Sequence, residues 1–108
     1  MVAVIGFVFS AEAQVAGMNP VFHFDGERVF ARVTSIEGNV VHFTITNPTR
    51  RDICVSFSIR YTDNNGNTVY RRSRVWIRAN SSQDSWHRDL DNLTFRGMAI
   101  TNVSAGSC

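Results

Sequence analysis

The residues of this sequence best suited to proton transfer or nucleophilic attack are three histidines, His23, His42 and His87, and the run Ser85-Trp86-His87-Arg88-Asp89. A Ser-His-Asp triad needs its members to converge from separate parts of the chain. Neighbours along one strand point to alternate faces and cannot converge in that way. His42 lies between the core candidates Val41 and Phe43, so it is expected to point outward. No G-x-S-x-G, H-E-x-x-H or glycine-rich phosphate loop occurs. Asp63-Asn64-Asn65-Gly66 has the composition of a calcium loop, but its glycine falls too early and the closing Glu is missing, so it reads as a turn. The expectation is a protein without catalytic residues, bound metal or cofactor.

Other residues suit binding and cross-linking. Cys54 and Cys108 are the two cysteines. In a small exported domain they most simply form one disulfide, and the alternative is a terminal Cys108 paired with another molecule. The chain has no Lys, so all 11 basic residues are Arg. Arg presents a planar fork to carboxylate, phosphate or sulfate; the base composition of a GC-rich genome gives the same bias. The net charge is only +2. That small excess makes nucleic acid a poor partner.

The chain starts with an apolar run, Met1 to Phe9, followed by Ser10-Ala11-Glu12-Ala13. Small residues at Ala11 and Ala13 fit a signal-peptide cleavage site before Gln14. Residues 1–13 are therefore expected to be a leader and 14–108 the working domain, secreted or periplasmic. No Lys or Arg precedes the run, so residues 1–13 are read as a leader whose usual basic start lies upstream, or as a sequence that begins at an internal Met. The competing reading is a buried first strand, which Gly6 and the Ser10–Ala13 stretch disfavour. The run is shorter than the roughly 20 residues a bilayer-spanning helix needs, so no span is expected in the mature chain. Three Asn-x-Ser/Thr sequons, at Asn80, Asn92 and Asn102, are acceptor sites only in a glycosylating host.

Seven apolar, β-branched segments are expected to be strands: Val21–Phe24, Arg28–Ser35, Asn39–Thr46, Ile53–Thr62, Asn67–Ala79, Gln83–Leu90 and Met98–Ser104. No window carries a capped helical period. The fold class is all-β, an immunoglobulin-like antiparallel β-sandwich of about seven strands. A three-residue loop, Asn64-Asn65-Gly66, sets Tyr61 opposite Val69, Ile59 opposite Arg71, Phe57 opposite Ser73, Val55 opposite Val75 and Ile53 opposite Ile77. A two-residue loop would flip one strand and set Phe57 against Arg74. The same design around Gly38 predicts Val33 opposite Val41, Ala31 opposite Phe43 and Val29 opposite Ile45.

The second hairpin's register also fixes its outer face. Arg60 lies across from Tyr70, Ser58 from Arg72, Ser56 from Arg74 and Cys54 from Trp76, with Arg78 following. Arg60, Tyr70, Arg72, Arg74, Trp76 and Arg78 are thus the candidate binding residues, since arginines among aromatics hold anionic or planar groups and dominate protein interfaces. The competing reading is an ordinary solvated sheet face, with the disulfide-tied C-terminal tail lying over Trp76.

The stretch Ile45-Thr46-Asn47-Pro48-Thr49, then Ile53 through Gly66, and later Arg78-Ala79-Asn80-Ser81-Ser82 resembles the FxLYD-type immunoglobulin-like domains of exported bacterial envelope proteins. The likeness covers about 40 residues and describes a fold. Here Ile59 stands in place of Leu, and Arg60-Tyr61-Thr62-Asp63 in place of a contiguous Tyr-Asp. The resemblance implies an envelope accessory module with no shared catalytic residues, so no site is carried over.

Three functions fit these readings. The first is a non-catalytic binding or accessory module of the envelope, taking a protein or anionic partner on the Arg/aromatic face. The second is a subunit of an extracellular filament or surface assembly, with Gln14–Phe24 lent as a strand to a neighbour and Cys108 locking subunits together. The third is a small inhibitor or immunity protein acting through the loop Asn47–Asp52.

Overall fold

The computed structural model describes residues 18–89 and 92–108. The expected leader, residues 14–17 of the expected strand donor and Leu90-Asp91 lie outside them. The strands are β1 (Val21–Phe24), β2 (Glu27–Glu37), β3 (Val40–Asn47), β4 (Ile53–Thr62), β5 (Thr68–Ile77), β6 (Ser81–Arg88) and β7 (Thr94–Ala105). They form two antiparallel sheets, β1-β2-β3-β6 and β5-β4-β7. The hairpin β2–β3 with β6 beside β3, and β4 between β5 and β7, match immunoglobulin strands A, B, E and C′, C, F. Among the described residues no strand takes the G position beside β7.

Alternation builds the core. In β3, Val41, Phe43 and Ile45 are buried and their neighbours are only half-buried. In β4, Ile53, Val55, Phe57, Ile59 and Tyr61 face the opposing sheet. Phe43 and Phe57 meet across the two sheets edge to face, with ring centroids 5.1 Å apart. Val29, Ala31, Ile77, Met98, Ile100 and Val103 complete the layer.

The β4–β5 hairpin has the expected register at every pair. Gly66 sits at φ 81°, and Asp63 N–H donates to the Asn67 carbonyl at 3.0 Å. The Asp63 carboxylate accepts the N–H groups of Asn67 and Asn65, each at 2.9 Å, which holds its pKa below the usual range.

The β2–β3 hairpin departs from expectation. Val33 pairs with Phe43 and Ala31 with Ile45, two residues away from the predicted partners. The loop contains only Gly38 and Asn39, because Glu37 pairs with Val40. Gly38 has φ 61°, the conformation that a two-residue II′ loop demands of its first residue. A bulge between Val33 and Ser35 absorbs the remaining residue. The shift is even, so the predicted inner face survives. Strand ends also move: β7 begins at Thr94 rather than Met98, and β6 at Ser81 rather than Gln83.

Candidate binding face

All six candidate residues lie on the outer side of the three-stranded sheet. Along β4, Cys54, Ser56, Ser58 and Arg60 point away from the core; on β5 their partners are Trp76, Arg74, Arg72 and Tyr70. On the β7 side the partners are Ser104, Asn102, Ala99 and Gly97. The face therefore has a floor of small side chains and a bank of long ones on β5. Two shallow depressions open on it. One of about 280 Å³ lies by Ser58, Arg60, Tyr70 and Gly97, and another of about 290 Å³ by Ser56, Arg72, Arg74 and Thr101.

Arg60, Arg72 and Arg74 are exposed and enter no ion pair among the described residues, whose ion pairs engage Arg51 and Arg71. Tyr70 is 53% exposed and Trp76 41%. The Arg78 guanidinium lies 5.4 Å from the Trp76 ring centroid, a cation–π distance. The sequence does not reveal a further member, Arg96. It occupies a β7 bulge opposite Arg60/Tyr61 and donates from Nε to Thr62 Oγ1 at 2.9 Å, joining the same side. The only hint of this bulge is Gly97, which interrupts the strand pattern.

Cys54 and Cys108 are disulfide-bonded to each other. Gly106, at φ 96°, turns the tail back, and its N–H donates to the Asp52 carbonyl at 2.8 Å. The tail thus ends at the Cys54 end of the face. It leaves Trp76 exposed, unlike the reading in which it covers the indole.

The residues of the Ser85–Asp89 run do separate work. Tyr61 is 1% exposed and its hydroxyl lies 3.1 Å from His87 Nδ1. Arg71 Nε donates to Asp89 Oδ2 at 2.7 Å, and Asn39 Nδ2 donates to the Asp89 carbonyl. Together they close one end of the sandwich with polar groups satisfied across the sheets. His42 lies on the outer side of its sheet, opposite Trp86, as expected. Among the described residues no three His, Cys, Asp or Glu side chains gather to hold a metal ion.

Burial pushes the Tyr61 hydroxyl up to about 12, helped by the negative charge of Asp89 and opposed by Arg71. The folded chain thus holds this proton more tightly than the unfolded chain, whose tyrosine ionises near 10. The contribution is complete below that value and is lost as pH rises from about 10 to about 12. Thermal melts across this window should show wild type losing stability and Tyr61→Phe losing less. Parallel curves would show that Tyr61 does not govern the alkaline transition.

No family model matches the chain, and no curated protein matches it. Two solved structures are similar. The trimeric lipoprotein SadB of Salmonella enterica aligns with TM-score 0.54 and 13% identity, over 88% of this chain and 60% of that one. A DUF1425 family member from Shewanella sp. pv-4 aligns with TM-score 0.49 and 12% identity, over 86% of this chain and 94% of that one. At such identities the likeness shows the fold alone: the chain is an all-β sandwich, spanning about 60% of the length of the lipoprotein chain.

Proposed function

We propose that this protein is a secreted or periplasmic, non-catalytic binding module of the cell envelope, engaging a protein or other anionic partner through the outer face of β5-β4-β7. One observation carries the reading. Arg60, Arg72, Arg74, Arg78 and Arg96 share this face with Tyr70 and Trp76, and none of the outward partners on its strands is a carboxylate. An ordinary solvated face mixes both charge signs. The location is supported by the disulfide, which persists in oxidising compartments, and by the similarity to a lipoprotein.

The test is partner capture from envelope extract by wild type and by Arg72→Glu with Arg74→Glu. We expect the variant to melt as wild type does and to lose roughly 30-fold or more in capture, the equivalent of about 2 kcal/mol at an interface hot spot. Equal capture would remove this face from consideration.

Self-association is the second reading, favoured by the likeness to a lipoprotein that is trimeric. The two devices expected for it are engaged within the chain: Cys108 bonds Cys54, and Val21–Phe24 pairs with β2. An assembly would need another contact. The inhibitor reading rests on Asn47–Asp52, where Arg51 pairs with Asp25 at 3.2 Å.

A further inference from the structure

The three-stranded sheet has two unpaired edges among the described residues, β5 and β7. On β7 the stretch from Gly97 to Ala105 is uncharged, so nothing on it specifies an occupant. The β5 edge is different. Its outward side chains run Tyr70, Arg72, Arg74, Trp76 at the two-residue repeat of a strand, roughly 6.8 Å. Ser73 points toward the inner side yet is exposed, so the flank beside it is open. Across that flank β6 turns Gln83 and Ser85 inward, the partners of Ile45 and Phe43.

We propose that the β5 edge receives an extended acidic segment of a partner protein as an added strand. Its carboxylates would alternate with small hydroxyl residues. The inference rests on the outer face being the binding surface. A strand laid antiparallel along β5 sends every second side chain to the outer face, opposite Tyr70, Arg72, Arg74 and Trp76. There acidic residues form cross-strand pairs of opposite charge. The intervening side chains fall beside Val69, Arg71, Ser73 and Val75; at the centre, beside Ser73 and the polar inward residues of β6, a small hydroxyl fits. A second copy is the wrong occupant. A two-fold through Ser73 sets Arg72 against Arg74, and a shift of one residue sets Arg72 or Arg74 against itself. Like charges directly opposite destabilise pairing, and edge charge is the usual guard against it.

The probe is a fluorescent peptide of about ten residues alternating Glu and Thr, matched to the ten residues of β5 and read by anisotropy. Three relatives accompany it: the same composition in two blocks, and two versions N-methylated on alternate sets of amides. An added strand offers only one set of its N–H groups to β5. The block peptide and one methylated version should therefore bind roughly tenfold more weakly, while the other methylated version binds as the parent. Arg72→Glu with Arg74→Glu should weaken the parent by a similar or larger factor. Equal binding of all four peptides, lost on charge reversal, would overturn strand addition and leave the charged face standing. Binding of heparin with no binding of any peptide would also overturn it, in favour of an anionic polysaccharide. Peptide binding unaffected by charge reversal would sink both readings.

Discussion

Replacing Cys54 and Cys108 together by Ala lowers the unfolding free energy by about 4 kcal/mol, the loop-closure value for a cross-link spanning 54 residues. For a small domain with a total stability of roughly 5–15 kcal/mol, that is a large share. The bond joins the start of β4, the central strand of its sheet, to the last residue of the chain. The tail it holds is otherwise tied by the Gly106–Asp52 hydrogen bond. Most of the effect should reside in the unfolded chain, which gains freedom when the loop opens. Urea unfolding would separate the contributions. The double variant should show a lower midpoint and a steeper slope, because a less restricted unfolded chain exposes more surface. A loss of unfolding free energy of less than about 1 kcal/mol would mean that the unfolded chain is already compact. The Cys54 end of the arginine face should loosen as well, and Trp76 fluorescence in the folded variant reports it.

The features legible in the sequence are those that depend on parity. Side-chain alternation in β3 and β4 identifies the inner residues, and the Asn64-Asn65-Gly66 loop fixes the β4–β5 register residue by residue. That register alone is enough to gather the six candidate binding residues on one face. The β2–β3 hairpin shows the limit of this logic. Registers differing by two residues bury the same side chains, so the apolar pattern cannot choose between Val33 opposite Val41 and Val33 opposite Phe43. The choice is made by the backbone of Gly38-Asn39 and by the bulge near Thr34, neither of which leaves a hydrophobic trace. Arg96 escapes the sequence pattern for the same reason, since a bulge re-aims a residue that simple alternation places elsewhere. Arg71 is the converse. Alternation puts it on the inner side, opposite Ile59, but its partner Asp89 comes from the other sheet and is invisible along the chain.

Asn47 illustrates a motif whose meaning emerges only from packing, and its replacement carries the second large effect. The Asn47-Pro48-Thr49 step reads in sequence as a strand stop. In the fold Asn47 is 0% exposed and joins two crossings between the sheets at one end of the sandwich. Its Nδ2 donates to the carbonyls of Arg51 at 2.7 Å and Arg78 at 2.9 Å, with a longer contact to Ile77 at 3.3 Å. Its Oδ1 accepts the N–H and the hydroxyl of Thr49, at 3.0 and 2.7 Å. The same two segments are further tied by Asn80 N–H to the Thr49 carbonyl at 2.9 Å and Ala79 N–H to Asp52 Oδ1 at 3.0 Å. Asn47→Ala therefore strands several polar groups, some of them buried, and should cost about 3 kcal/mol at roughly 1 kcal/mol or more each. Asn47→Asp tests the chemistry at constant volume. A carboxylate can still accept from Thr49, but it sets a second oxygen against the Arg51 and Arg78 carbonyls, so it should destabilise at least as much as Ala. Thr49→Val should cost about 1 kcal/mol, since the backbone acceptors remain partly served. If Asp were tolerated, the donated bonds to the β5–β6 crossing would be dispensable. Arg78 lies in that crossing, beside Trp76, so the Asn47 network also sets where one end of the candidate face stands.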